Sequence, residues 1–381
     1  MFAHQFKPHS HELNPLFALK QKLETDGVSV LDLTLSNPTQ VGLNYPAQIP
    51  RLFNQDSILT YNPHPQGEFA TRKAIADYYR SRNRIITPEK LVLTASTSEA
   101  YSFLFKLLCN AEDEVLIPTP SYPLFDTLAE LENVSLIPYP ENLEQLDLLI
   151  TTKTKAIILV NPNNPTGHVL KQNEIDTILK VASDHSLAII VDEVFCDYLH
   201  GSTQFIPVQS ETGLVFTLNG FSKMLGLPQM KLGWIHVGGD EGLVSEALQH
   251  LEWIADAFLS VNTPVQKAAP QLFELLPDLQ GMIKQRLANN LVFAKSWLNS
   301  VEGIRCIFPQ GGWSMVLEVD SQPSSKVRSE DFALELLKQK QVYVHPGILF
   351  GIKTNCVLVL SLLVDEKIFA EGLKKIALTR A

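Results

Sequence analysis

The chain has 381 residues, 45% of them hydrophobic and 19% charged, with four cysteines and a net charge of -10. This is enough apolar chain for a large core divided among two or three lobes, and the acidic balance argues against nucleic acid and anionic membrane as partners, since both are densely negative. No uncharged apolar run is long enough to span a bilayer, and the start MFAHQFKPHS lacks the basic-then-apolar pattern of a signal peptide, so small-molecule chemistry in the cytoplasm is expected.

Residues 1–45 read as an N-terminal arm that packs with a small lobe further along the chain. Residues 46–255 read as the larger lobe: from about Tyr61 to Trp253, short β-branched runs alternate with amphipathic stretches, the pattern of a mostly parallel sheet with crossover helices. Seven strands are expected, at Leu91–Thr94, Glu114–Ile117, Val134–Ile137, Ala156–Val160, Ala188–Val191, Leu214–Leu218 and Leu232–Val237, each bounded by turn or capping residues. Residues 256–381 begin with long helices over Thr263–Asn299, broken near Pro277. They continue with strands at Ser314–Val319, Gln341–Val344 and Cys356–Leu360 and a helix at Ser329–Lys340, which suits a small α+β lobe. Cys109, Cys196, Cys306 and Cys356 are scattered, without the short spacings of a zinc site or a disulfide framework.

The run NGFSKMLGLPQMKLGW from Asn219 to Trp234 places Ser222 and Lys223 in a loop between two apolar strands, and loops at strand C-termini are where open α/β sheets hold ligands. Alone, Lys223 would read as a solvated surface lysine. Its company argues otherwise. The run AIIVDEVF from Ala188 ends a buried-looking strand on Asp192, a carboxylate that is costly to bury without a cation. The run AIILVNPNNPTGH from Ala156 ends another strand in a loop that by composition is a turn, and it sets the amide of Asn164 near the same sheet edge. An amide, a carboxylate and an amine on three sheet-edge loops are the set that holds and activates a pyridoxal ring. The run TASTSEA from Thr94, ahead of an apolar helical pattern, offers a helix N-terminus whose backbone amides can grip phosphate, with Ser96, Thr97 and Ser98 as candidates. An ordinary N-cap with Glu99 in its first turn explains the same residues.

On these motifs the chain resembles the fold-type I, pyridoxal phosphate-dependent aminotransferases of class I/II, from about Leu31 to the last strand. The resemblance implies an α/β fold with a mostly parallel seven-stranded sheet in a large domain and a small α+β domain. It implies pyridoxal 5'-phosphate (PLP) as cofactor, held as an internal aldimine on Lys223, with Lys223 then shuttling a proton as acid and base. Asp192 matches the acid that keeps the pyridine nitrogen protonated, and Asn164 the amide on the ring's phenolic oxygen that also touches the substrate carboxylate. Tyr122, in the run PTPSYP, matches the aromatic on the ring face, although a core tyrosine is the plainer alternative. Ser222 and Lys231 fall on the phosphate side, Ser36 on the substrate side. Tyr61, opening YNPHPQG, resembles the tyrosine that reaches the neighbouring subunit's phosphate, which implies a homodimer with shared sites. The implied partners are a small-molecule amino donor and a carbonyl acceptor.

Four positions depart from the family pattern. Phe195 stands where a tyrosine is usual, removing a phenol from the ring oxygen. Gly220 stands where a hydroxyl residue commonly helps to hold phosphate, and Lys231 replaces an arginine, keeping charge but losing the bidentate fork. Val359 occupies the position of the arginine that clamps the substrate α-carboxylate. Either another cation substitutes, with Lys353 and Arg328 as candidates that would otherwise be plain surface residues, or the substrate has no carboxylate there. Transamination is the leading expectation. A PLP-dependent lyase or decarboxylase, or a PLP-binding protein with little turnover, remain open at this stage.

Overall fold

A computed structural model describes residues 14–320, 328–353 and 356–379. The chain runs through α1 (Pro15–Thr25), β1 (Leu31–Asp32), α2 (Phe69–Arg80), β2 (Leu91–Thr94), α3 (Thr97–Leu108), β3 (Glu114–Thr119), α4 (Leu124–Leu131), β4 (Ser135–Pro140) and β5 (Thr154–Val160). It continues with α5 (Gln172–Asp184), β6 (Ala188–Asp192), β7 (Leu214–Gly220), the single turn α6 (Phe221–Met224), β8 (Gly233–Gly239), α7 (Glu241–Phe258), α8 (Thr263–Glu274) and α9 (Leu276–Leu298). The last part holds β9 (Ile304–Ile307), β10 (Ser314–Val319), α10 (Ser329–Lys340), β11 (Val342–Tyr343), β12 (His345–Pro346), β13 (Cys356–Ser361) and α11 (Glu366–Leu378).

All seven strands expected in the larger lobe form one sheet, in the order β2-β8-β7-β6-β5-β3-β4. β8 alone runs against its neighbours β2 and β7, and the remaining pairings are parallel. The apolar runs are continuous because both faces are covered. Alternate residues enter opposite cores: Ala156, Ile158, Ile190, Phe216 and Leu218 face one cluster, while Ile157, Leu159, Ile189, Val191 and Val215 face the other. Each of the larger side chains among them contributes roughly 1.5–3 kcal/mol by leaving water. Between them they fix the register of the strands that carry the site.

A third apolar cluster joins α2, the segment around Met224–Leu232, and α8 through Val265, Ala268, Ala269 and Leu272. From Ile283 onward α9 turns to a fourth, which holds β10, β13, α10, α11 and Leu16 of α1. The helix break falls between α8 and α9, with Pro277 in the first turn of α9, where its missing N–H is harmless. β1 pairs in parallel with β11, tying the N-terminal segment to the last lobe.

Two features of the smaller sheet differ from expectation. The strand expected at Gln341–Val344 is shortened to β11, which pairs with β1 in a sheet of two, and the unanticipated β12 just beyond it pairs with β13. Pro346 has no N–H to give, so this stretch serves only as an edge. β9, the opposite edge, went unanticipated because Arg305 and Ile307 point to solvent and spoil the apolar signal. Among the described residues no helix is long and apolar enough to cross a membrane.

Candidate active site

The C-terminal ends of β2, β3, β5, β6 and β7 and the N-terminal end of β8 lie at one edge of the large sheet, since Thr94 and Gly220 both pair with Gly233. Facing that edge is a cavity of about 400 Å³ whose far wall comes from the smaller sheet. Ser36, Ser96, Thr97, Ser98, Tyr122, Asn164, Asp192, Ser222, Lys223, Lys231 and Val359 all line it, together with Phe195 and Gly220. Tyr61 does not. It stands 71% exposed, away from the cavity of its own chain.

Asp192 ends β6 as a buried carboxylate without a salt bridge among the described residues. Its Oδ1 accepts the Val194 N–H at 3.1 Å and its Oδ2 the Tyr101 hydroxyl at 3.1 Å. Burial pushes the carboxyl up to about 6, and the two hydrogen bonds and Lys223 only partly offset this. A cationic N–H donor is what this carboxylate lacks. Lys223, in α6, carries its Nζ 5.5 Å from the centre of the Trp313 ring. Burial lowers its ammonium pKa against the opposing pull of Asp192, so the free amine is reached at lower pH than in water. The backbone beneath it is anchored: the Tyr198 hydroxyl donates to the Lys223 carbonyl at 2.8 Å, and the Tyr45 hydroxyl to that of Gly226 at 2.6 Å.

Opposite, α3 presents its N-terminus. Ser96 is the N-cap, accepting from Glu99 N–H at 3.2 Å, while Glu99 accepts from Ala95 N–H at 2.6 Å. The Ser96 oxygen thus serves the helix, and the first-turn N–H groups of Thr97 and Ser98 remain free for an anion in the field of the helix dipole. Gly220 follows from close packing, because a Cβ there would sit 2.9 Å from the Leu232 carbonyl oxygen. A hydroxyl side chain could enter only by parting two strands. Lys231 lines the same end with a left-handed backbone, φ 52°, a conformation that costs a non-glycine residue about 1 kcal/mol.

The Asn164 loop is built by its own hydrogen bonds, Asn163 N–H to the His168 carbonyl at 2.8 Å and Gly167 N–H to the Asn163 carbonyl at 2.9 Å. Gly167 has φ +71°, and a Cβ would meet Pro309 at 2.3 Å, so glycine is required there. From the other wall, the Ser314 hydroxyl donates to Asn164 Oδ1 at 3.3 Å. In β13, Cys356, Leu358 and Leu360 enter the apolar core, while Val359 lines the cavity, 3% exposed. The two candidate cations are plain surface residues. Lys353 is exposed and outside the cavity lining, and Arg328 is exposed and held by Glu330 at 2.6 Å.

Several lining residues were not identified from sequence: Trp313, whose buried Nε1 has no partner among the described residues, Ser314 and His345, with Tyr101 behind Asp192. A signal for the first two existed in the run PQGGWS. A Cβ at Gly311 would meet Pro162 Cγ at 2.7 Å, so paired glycines before a strand marked a close approach to the Asn164 loop.

The donor set fits PLP: a buried carboxylate short of a cation, a lysine with a lowered pKa, and a helix N-terminus with free N–H groups. Known proteins agree. Residues 41–360 match the model of the family "Aminotransferase class I and II". The chain is 27% identical to a glutamate-pyruvate aminotransferase of Escherichia coli, covering 88% of this chain and 87% of that protein. It is also 27% identical to a tyrosine aminotransferase of Caenorhabditis elegans, over 84% and 72% of the two. An alanine aminotransferase from Pyrococcus furiosus superposes with a TM-score of 0.90 at 24% identity, over 99% and 98% of the chains. A chain whose family match spans nearly all of its large lobe and reaches the last strand of the small one is a PLP-dependent, fold-type I enzyme, and this protein belongs to the aminotransferase class I and II family.

Proposed function

We propose that this aminotransferase works through Lys223 and Asp192 in the cavity between its two sheets, transferring an amino group from a small amine or amino acid to a carbonyl acceptor. The observation that carries this reading is Asp192, buried and without a salt bridge at the edge where Lys223 also opens. Bound PLP supplies the electron sink that lets a C–H bond beside nitrogen ionise. The Asp192 carboxylate would keep the proton on the ring nitrogen, and the Tyr101 hydroxyl holds that carboxylate in place. Lys223 Nζ would carry the proton from the substrate carbon to the cofactor, which takes up the amino group. Asn164 donates its amide N–H to the ring oxygen while Ser314 fixes its orientation. Thr97, Ser98, Ser222 and Lys231 would hold the phosphate, Tyr122 would face the ring, and Ser36 and Asn164 would meet the substrate. Phe195 has no hydroxyl to give, so the ring oxygen would rely on Asn164.

The same reading keeps residues 1–45 and 256–381 around a PLP-binding unit at 46–255, and places the enzyme in the cytoplasm as a homodimer. An exposed Tyr61 outside the active-site cavity of its own chain supports a site shared with a second subunit. Donor and acceptor are drawn from the class that the relatives' names define, amino acids such as glutamate or alanine and their oxo acids. Borohydride reduction of the holoenzyme followed by peptide mapping tests the assignment. The cofactor adduct is expected on Lys223, and an adduct on any other lysine overturns it.

A further inference from the structure

The small-lobe wall holds one ionisable side chain that the cofactor does not claim. Strand β12 pairs antiparallel with β13 so that His345 lies directly opposite Val359. Directly opposed residues point to the same face, with Cβ atoms about 4.5–5.5 Å apart. Val359 is on the cavity side, and so is His345, which lines the cavity with it. The imidazole is steadied by two rings, Tyr343 and Phe350, each with its centre 6.0 Å away. No hydrogen-bond partner occupies it among the described residues. The other ionisable groups lining the cavity are Tyr122, Asp192, Lys223 and Lys231, and the proposed reading assigns each of them to the cofactor. Charge also reaches His345 from behind, where Lys20 and Asp32 pair at 2.7 Å.

We propose that His345 recognises the substrate carboxylate at the place where Val359 leaves no cation, which makes it the specificity-determining residue of this chain. The inference rests on the proposed reading of the cavity and deepens it. An imidazole carries an N–H donor in either protonation state, so it gives a carboxylate one hydrogen bond. A guanidinium would give two in a fixed fork. Valine beside it presents an apolar surface that leaves nothing unpaired when the substrate carries a methyl or methylene group there. The site therefore accepts carboxylated donors of small, apolar type and holds them less tightly than an arginine site holds dicarboxylates.

The test uses holoenzyme and two donors that differ only in the carboxylate, L-alanine and ethylamine, with propionate as an unreactive carboxylate. Burial of His345 lowers its pKa, so assays at neutral pH compare mainly neutral imidazole. His345→Ala should raise the KM of L-alanine about tenfold more than that of ethylamine, and weaken inhibition by propionate to the same degree. His345→Gln, which keeps an N–H donor, should restore most of both. Equal effects on the two donors, no effect on either, or failure of propionate to inhibit the parent enzyme would overturn the proposal. Borohydride mapping separates this from the reading beneath it: an adduct on Lys223 in the His345 variants leaves the cavity assignment standing whatever happens to KM. Loss of that adduct from the parent would remove the cavity assignment itself.

Discussion

The two walls of the cavity differ in kind. The large-sheet edge presents Asn164, Asp192, Lys223 and a helix N-terminus, polar groups set on loops that close-packed strands hold in register. The small-sheet wall presents Val359, Ser314, Ser361, Trp313 and His345, with the valine where the family pattern has a fork of positive charge. One wall fits the electronics of a cofactor, the other the outline of a substrate. A scaffold can hold the first constant while it changes the second, because the strands of the two sheets pack into separate apolar clusters, although loops around Gly167, Tyr198 and Gly311 are hydrogen-bonded across the seam.

The largest expected effect tests the large-sheet wall. Asp192→Asn should keep bound PLP but reduce turnover by about a hundredfold, because a neutral amide cannot hold the proton on the ring nitrogen. In the parent, cofactor affinity should fall as pH drops through about 6, where the raised Asp192 carboxyl protonates, and the asparagine variant should lose that dependence. Near-parent turnover in the variant would mean that the ring does not depend on Asp192. A smaller effect probes the other wall. Val359→Arg should tighten carboxylated donors by about tenfold over their decarboxylated amines, measured as paired KM values. If the arginine brings no gain, the carboxylate lies elsewhere and the contrast between the walls is misplaced. The smallest effect concerns the bond between them. Ser314→Ala should lower kcat by about fivefold with KM nearly unchanged, since Asn164 keeps its place but loses its orientation. A change in KM alone would assign Ser314 to substrate contact instead.

The larger sheet was legible because parallel strands covered on both faces read as uninterrupted β-branched runs, and AIILV and AIIVD end on the loops that carry chemistry. The smaller sheet was less so. β9 mixes exposed Arg305 with buried Ile304, and β12 is only His345 and Pro346. Within the site, residues that act from their own motif were found, and residues that act from across the fold were not. Tyr101 reaches Asp192 from 91 positions away, and Ser314 reaches Asn164 from 150. Pairing of that kind follows from topology rather than from spacing. His345 opposite Val359 follows from register, which no run of either strand alone encodes.

The hydrogen bond from Ser314 to Asn164 has a mechanical consequence. At 3.3 Å it is already near the long end of useful geometry, so a separation of the two sheets by a fraction of an ångström would break it. Such a bond works as a caliper: the Asn164 amide is aimed only while the gap is narrow. If a bound substrate draws the walls together, the asparagine is brought to aim at the moment water is pushed out, and the same contact that senses the fit of a substrate completes the site that converts it.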